Sequence, residues 1–174
     1  MKVTRITNAV YALAVVAVIG FGLATEYLGE LAPKATAQGE VPASAVEHRV
    51  KRIVDGDTVY MKDGTKVRLH GIDTPERDQP YGKQATRNLD RLIGGKVFVL
   101  EKDTDRYGRL VGVIYTPEGV NVNEAMVCNG SARWYSRYAR LESNLRECQA
   151  KAQEEGLGLW ADDDPLPPWD WRRR

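Results

Sequence analysis

The sequence has little of what histidine chemistry and thiolate metal sites require. It contains only two histidines and two cysteines among 174 residues. Two thiols without a histidine nearby cannot make a closed zinc site, which needs four nitrogen or sulfur ligands. Neither His48 nor His70 has a neighbour pattern that suggests base catalysis or zinc binding, and we expect both at the surface.

Net charge is also nearly absent, because 25 basic residues face 24 acidic ones. No overall basic field can attract nucleic acid, so a nucleic-acid partner would have to be held by a local patch. No internal repeat or low-complexity tract interrupts the chain. The hydrophobic fraction of 43% is ordinary for one globular core with an appendage.

The N-terminus has no charged residue between positions 6 and 25, and Lys2 and Arg5 precede this run. Such a layout is typical of an export signal or a single membrane anchor. Small residues before Gln38 resemble a cleavage site. We predict a signal peptide or anchor over residues 1–37, and an exported protein that is periplasmic or extracellular. If the segment is retained, residues 6–25 attach the protein to the inner membrane.

Composition divides the rest of the chain into three parts. Residues 38–47 are short, polar and proline-containing, as linkers are. Residues 48–163 carry the periodic patterns of one folded domain. Residues 164–174 are rich in proline, tryptophan and arginine. This tail could bind nucleic acid or a packing partner, or it could fold back on the domain.

Hydrophobic periodicity predicts an α+β domain, mainly β, in which one helix separates the third and fourth of five strands. That order is expected of a five-stranded OB-fold barrel with three helices. The third helix should place Leu141, Leu145, Cys148 and Ala152 on one side, and Trp160 should close the core. The predicted strands cover 50–54, 59–61, 66–72, 96–100 and 110–115, and the predicted helices cover 81–93, 123–129 and 139–155.

The two cysteines, Cys128 and Cys148, each fall on a predicted helix. Two antiparallel helices could bring them together, and an oxidising compartment would favour a disulfide. The alternative is a pair of buried thiols.

The densest cluster of reactive side chains lies in residues 68–76. Arg68 alternates with apolar neighbours and so points away from the core, while Pro75 ends the strand. Asp73 and Glu76 lie on the turn that follows. Such a group could bind a hard cation and a phosphate, since Ca²⁺ takes oxygen ligands and arginine grips phosphate with two hydrogen bonds. It could equally be a salt-bridged hairpin rim.

Two further charged turns accompany this cluster. Asp55 and Asp57 flank Gly56 between the first two strands, where aspartates also serve ordinary turn hydrogen bonding. Residues 105–109 form a turn that places Arg109 at the start of the fifth strand. Three charged turns in one small domain are harder to explain as ordinary solvent-exposed turns than a single one.

In their order and spacing, residues 53–59, 68–76 and 105–109 together resemble the thermonuclease, or staphylococcal nuclease, family. The resemblance covers residues 48 to about 160. It implies an OB-fold endonuclease that depends on Ca²⁺ and hydrolyses the phosphodiester bonds of DNA and RNA with little sequence preference. The expected mechanism is metal-assisted, in-line attack of water.

The resemblance also implies site residues. It makes Asp57 and Asp73 direct Ca²⁺ ligands, with the carbonyl of Thr74 as a third, and leaves Asp55 outside direct coordination. Water and a substrate phosphate oxygen would complete the coordination.

Glu76 aligns with the residue that activates or orients the attacking water, and Arg68 and Arg109 align with those that hold the phosphate. Tyr107 could contact a phosphate, stack on a base or simply close its turn. We expect a monomer. The alternative function is a non-catalytic OB-fold module that binds nucleic acid at the membrane, but the presence of every charged site residue argues against it.

Overall fold

The computed structural model describes residues 39–174. The predicted signal or anchor over residues 1–37 lies outside the described residues. Within the described part, no helix has the length and apolar character needed to cross a membrane.

The strands are β1 Val46–Asp55, β2 Thr58–Met61, β3 Lys66–Leu69, β4 Ile72–Asp73, β5 Lys96–Thr104, β6 Leu110–Tyr115 and β7 Arg133–Trp134. Five of them close into a barrel in the order β1-β2-β3-β6-β5, and β4 and β7 form a separate two-stranded sheet. Neighbouring strands run antiparallel, except that β3 and β6 are parallel. Closure leaves no free edge in this sheet, and it confirms the predicted OB-type barrel.

Helices cover one side of the barrel and extend its core. The three predicted helices are present, and Pro168–Trp171 adds a helix of a single turn that the sequence patterns did not indicate. The helices are α1 Gly82–Leu92, α2 Val122–Cys128, α3 Ser143–Glu154 and α4 Pro168–Trp171, with a 3₁₀ turn at Gly158–Ala161.

The core follows from the alternation seen in the sequence. Val67 and Leu69 of β3 are 0% and 1% exposed, which sends Arg68 to the outside of the barrel. Leu89 of α1 and Met126 of α2 are fully buried against the barrel residues. Each buried side chain of this size contributes about 1.5–3 kcal/mol, so the core fixes the strand ends firmly.

The predicted strand over residues 66–72 is wrong beyond Leu69. Gly71 adopts a left-handed conformation with φ of 74°, which turns the chain out of the barrel. The next two residues pair with β7, with Asp73 opposite Arg133. This small sheet, rather than the barrel, carries Asp73.

The predicted start of the third helix is also wrong. The helix begins at Ser143, and Leu141 precedes it with 94% of its surface exposed. Leu145 and Ala152 are buried as predicted, whereas Cys148 is half-buried. The apolar residues keep a helical spacing on the N-terminal side of the observed helix, where residues 139–142 form a turn instead.

Two further predictions need smaller corrections: that Trp160 closes the core, and that His48 and His70 lie at the surface. Leu159 is the buried residue of the 3₁₀ turn, whereas Trp160 is half-buried with the Arg133 guanidinium 4.3 Å from its ring. His48 and His70 are half-buried, and the Nδ1 of His48 lies 2.9 Å from Asp63.

Two cross-links hold α2 in place. The buried Asn123 donates to the carbonyls of His70 and Gly112 and accepts from the backbone N–H of Ile114, which ties α2 to the ends of β3 and β6. A disulfide joins Cys128 of α2 to Cys148 of α3. The Asn123 bonds hold the chain at His70, just before the segment that carries Asp73.

Candidate active site

The charged turns meet at one open cleft of about 1000 Å³ on the outside of the barrel. The cleft brings together all the side chains that the sequence marked as candidates, instead of scattering them around the barrel. Its lining includes Asp55, Asp57, Arg68, Asp73, Thr74, Glu76, Tyr107 and Arg109.

Strand register places the first turn beside the arginine of β3. Thr58 pairs with Arg68, and the backbone N–H of Leu69 donates to the carbonyl of Asp57 at 2.8 Å. The turn between β1 and β2 therefore cannot slide along β3 without breaking the barrel ladder.

Asp57 is held by hydrogen bonds and by an ion pair. Its Oδ2 accepts from the backbone N–H and the hydroxyl of Thr74, both at 3.0 Å, and lies 3.2 Å from the Arg68 guanidinium. A Cβ at Gly56 would come within 2.7 Å of the Thr74 hydroxyl, so glycine is needed for this close contact. Asp57 is thus fixed in place, with 6% of its surface exposed.

Asp55 holds the backbone of Asp57. It accepts a hydrogen bond from the Asp57 backbone N–H at 3.1 Å. Burial, together with repulsion from the Asp57 charge, raises the pKa of Asp55 to about 6. Asp55 therefore positions the turn that carries Asp57.

Asp73 is the most buried carboxylate of the cleft, with 1% of its side chain exposed. Its Oδ1 accepts from the Arg68 guanidinium at 3.0 Å. Burial raises the pKa of Asp73, and the neighbouring charge of Asp57 acts in the same direction, while arginine partners oppose the rise. A buried carboxylate of this kind requires a nearby positive charge to stay ionised.

Glu76 lies at the rim, with 37% of its side chain exposed. Its backbone is tied to the loop before α1, because its N–H donates to the Gln79 side chain and its carbonyl accepts from the Gln79 N–H. A Cβ at Gly82 would lie 1.8 Å from the Glu76 carbonyl oxygen. Only glycine at the first position of α1 lets the helix approach this closely.

Arg109 is held by Asp105 across a tight turn. Asp105 accepts from the backbone N–H of Arg109 at 3.0 Å and from its Nε at 2.7 Å. Desolvation alone would raise the pKa of Asp105, but the hydrogen bonds from Arg109 and Tyr107 outweigh it and hold the pKa below its usual value. These bonds leave the terminal nitrogens of Arg109 available to an anion.

Tyr107 projects from the same turn, and 69% of it is exposed. Its hydroxyl accepts from Arg106 at 2.8 Å, and its ring lies 5.6 Å from the Arg109 guanidinium. Tyr135 and Tyr138, which also line the cleft, pack edge to face, with ring centroids 5.0 Å apart. Three aromatic rings therefore line the cleft together with its charged residues.

Arg172 is the residue of the cleft that sequence reasoning missed. It comes from the C-terminal tail and contacts Asp73 at 2.7 Å and Glu76 at 2.5 Å. No local pattern marks it, because its partners lie 99 and 96 positions away. The basic and aromatic composition of the tail was the only signal.

The donor set of the cleft fits a hard divalent cation. Asp57 and Asp73 supply buried carboxylate oxygens, and Glu76 supplies a third carboxylate at the rim. A positively charged guanidinium lies among two of these groups, so the geometry accommodates positive charge there. Oxygen ligands of this type suit Ca²⁺ or Mg²⁺ rather than soft metals.

Comparison with known proteins shows the family to which this chain belongs. The sequence profile of the staphylococcal nuclease homologue family matches residues 66–162. A protein of Escherichia coli O157:H7 described as an uncharacterized endonuclease is 43% identical over 133 residues, which are 74% of this chain and 86% of that protein. The chain belongs to the staphylococcal nuclease homologue family.

Other relatives in this family agree. A micrococcal nuclease of Shigella flexneri is 38% identical over 147 residues, covering 76% of this chain and 84% of that protein. A probable staphylococcal-like nuclease of Oryza sativa subsp. japonica is 44% identical over 109 residues, which are 62% of this chain and 32% of that longer protein. The protein is therefore a nuclease of the endonuclease type, its substrates are nucleic acids, and nucleases of this family generally depend on a metal.

Proposed function

We propose that the protein is a Ca²⁺-dependent endonuclease that hydrolyses phosphodiester bonds in both DNA and RNA with little sequence preference. The observation that carries this proposal is the convergence of two buried aspartates, a rim glutamate and two arginines on one cleft. A phosphodiester is anionic and resists attack, so its hydrolysis needs charge neutralisation, a positioned water and stabilisation of the leaving oxygen.

Asp57, Asp73 and the carbonyl of Thr74 would hold the ion. Bound there, Ca²⁺ would neutralise charge on the phosphoryl oxygens and help to orient the phosphate. The two carboxylates are preorganised, since Thr74 fixes Asp57 and Arg68 fixes Asp73.

The two arginines would bind the phosphate. Guanidinium N–H donors match phosphate oxygens, and Arg68 and Arg109 each bring a guanidinium to the cleft. Asp105 orients Arg109 through its Nε, which leaves its two terminal nitrogens for substrate. Arg109 acts by stabilising charge rather than by donating a proton.

Glu76 is the group that handles the water. Its carboxylate lies at the open rim, where a water molecule can reach it. As a general base that takes the proton of the attacking water, Glu76 would contribute about 10² to 10⁴ in rate; the alternative role is to orient that water.

Broad substrate choice follows from what the cleft offers. Its charged groups suit phosphate and metal, which DNA and RNA share, and such contacts carry no sequence information. Tyr107 adds an exposed ring on which any base can stack.

We further propose that the protein acts as a monomer after export to the periplasm or the cell exterior, either freely or attached through residues 6–25. The uncharged run after Lys2 and Arg5 supports export. The Cys128–Cys148 disulfide fits an oxidising compartment. Mass measurement of the mature N-terminus would decide whether residues 1–37 are removed.

The direct test compares cleavage of plasmid DNA and of RNA by the purified full-length protein, with Ca²⁺ or with chelator. We expect cleavage of both substrates only with Ca²⁺, and a loss of about 10² to 10⁴ in rate for Glu76→Gln. Glu118→Gln removes an exposed carboxylate outside the cleft and should retain full activity. Cleavage insensitive to both chelator and Glu76→Gln would refute the mechanism, and binding without cleavage would favour the non-catalytic module.

A further inference from the structure

The last residues of the chain lie against the active-site cleft. We call residues 165–174 the C-terminal strap. The Gln79 side chain donates to the carbonyl of Leu166 at 2.6 Å, and Trp171 Nε1 lies 3.3 Å from the Asp78 carboxylate. The strap therefore follows the same loop that carries Glu76.

Its aromatic residues cover a second part of the rim. Trp169 stacks on Tyr135, with ring centroids 5.2 Å apart and an interplanar angle of 7°. Arg133 donates to the carbonyl of Pro165 at the start of the strap. Tyr135 lines the cleft, so the strap occupies one of the ring faces on which a substrate base could stack.

Arg172 reaches furthest into the cleft. One terminal nitrogen contacts Asp73 Oδ2 at 2.7 Å, and the other contacts Glu76 Oε1 at 2.5 Å and Asp73 Oδ1 at 3.3 Å. A single guanidinium thus spans both carboxylates. The contact uses both oxygens of Asp73 and one oxygen of Glu76.

These are the oxygens that the reaction needs. Asp73 cannot give the same lone pairs both to a guanidinium and to a divalent cation, and Glu76 cannot serve water while it is paired. The positive charge of Arg172 would also oppose the entry of a cation at about the same place.

We propose that Arg172 is a built-in competitor for the cation position, and that the C-terminal strap must leave the cleft before metal and nucleic acid can bind productively. This inference rests on the metal site of the proposed function. It assigns Arg172 a part in controlling access to the site, distinct from the phosphate-binding parts of Arg68 and Arg109.

The contacts of the strap with the cleft are of kinds that a bound cation can displace. Its only helix, α4, is a single turn of four residues with one buried residue, Pro168, and its contacts with the cleft are ion pairs, hydrogen bonds and one stacked ring. The Arg172 side chain is 43% exposed, so water screens its ion pairs and weakens them. A divalent cation that binds the same carboxylates can offset contacts of this strength.

The first test measures Ca²⁺ binding to the full-length protein by isothermal titration calorimetry. Arg172→Gln should bind Ca²⁺ about tenfold more tightly than the wild type, because the binding-competent state no longer requires release of the guanidinium. Arg174→Gln is the matched control, since it removes an arginine of the strap that touches neither carboxylate. It should bind Ca²⁺ as the wild type does.

A second variant tests the same inference in case Arg172→Gln impairs folding. Trp169→Ala removes the stack on Tyr135 without touching the cleft carboxylates. It should tighten Ca²⁺ binding in the same direction, by about threefold, since it weakens only one strap contact. In the wild type, Ca²⁺ should increase the quenching of tryptophan fluorescence by acrylamide, because release of the strap exposes its tryptophan side chains. Trp171→Phe should reduce this increase.

The possible results separate this inference from the proposed function. Equal Ca²⁺ affinity in the wild type, Arg172→Gln and Trp169→Ala would overturn the competition and leave the metal site standing. Slower cleavage by Arg172→Gln at saturating Ca²⁺, with unchanged affinity, would instead make Arg172 a phosphate-binding residue and also overturn it. No Ca²⁺ binding by any form would overturn the metal site itself.

Discussion

The inner wall and the rim of the cleft are built in different ways. The wall consists of Asp57, Arg68 and Asp73, whose side chains are 8%, 15% and 1% exposed and bonded to one another or to backbone fixed by sheet pairing. The rim consists of Glu76 and Arg109, on turns, with side chains 37% and 25% exposed. The strap adds Arg172 to this rim.

This difference matches the tasks that the two regions would have. Groups that hold a cation are effective when they are already in place, because no reorganisation is then needed during the reaction. Groups that meet water and a long, variable substrate must stay accessible. The rigid wall and the adjustable rim therefore respond differently to substitution.

The largest effect should come from the wall. Asp73→Asn keeps the size of the side chain but removes the charge that would hold the ion, so we expect cleavage to fall about 10³-fold. Initial rates of plasmid cleavage measure this, and a melting curve checks that the fold persists. An active Asp73→Asn protein would show that the wall is not the metal site.

The second-largest loss of activity should come from the contact between Gly82 and the rim residue Glu76. Gly82→Ala places a methyl group on the Glu76 carbonyl, which must move Glu76. A displacement of about 1 Å can cost about 10²-fold in rate, and we expect a loss of that size in kcat. Gly94→Ala is the matched control, because its Cβ meets no atom within 4 Å. If both variants cleave equally well, the position of Glu76 is not critical.

A smaller effect is expected for the support of the rim arginine. Asp105→Asn weakens the charged contact to Arg109 Nε, which should raise KM for DNA roughly tenfold with little change in melting temperature. Asp90→Asn, an exposed aspartate on α1, serves as control. An unchanged KM would mean that Arg109 does not depend on Asp105.

The smallest effect should appear at the most exposed rim residue. Tyr107→Ala should raise KM about fivefold through loss of base stacking, whereas Tyr107→Phe should behave as the wild type. A loss in both variants would assign the role to the hydroxyl, and a lowered melting temperature would assign Tyr107 to closing its turn.

The barrel strands were more predictable from sequence than the short elements and long-range contacts that complete the cleft. The alternation of Val67, Arg68 and Leu69 indicates a strand with Arg68 outside, and the charged turns follow the strands in a recognisable order. The barrel follows from these patterns, whereas the grouping of the site residues was expected from the resemblance to the nuclease family. Their chemical roles remain predictions.

The remainder depends on contacts that local patterns do not encode. Strands β4 and β7 have two residues each, too few to show a periodicity, so the sheet that carries Asp73 was missed. The stretch around Leu141 looked helical by spacing, which does not fix where a helix begins. Arg172 reaches the cleft only because the folded chain returns across almost a hundred residues.

The most direct test of the whole account is a Ca²⁺ titration followed in two ways on the full-length protein, by calorimetry and by the rate of plasmid cleavage. We predict one binding event whose concentration dependence matches the activation of cleavage, and which Asp73→Asn abolishes. Full-rate cleavage in the presence of chelator, or unchanged Ca²⁺ binding by Asp73→Asn, would contradict the account.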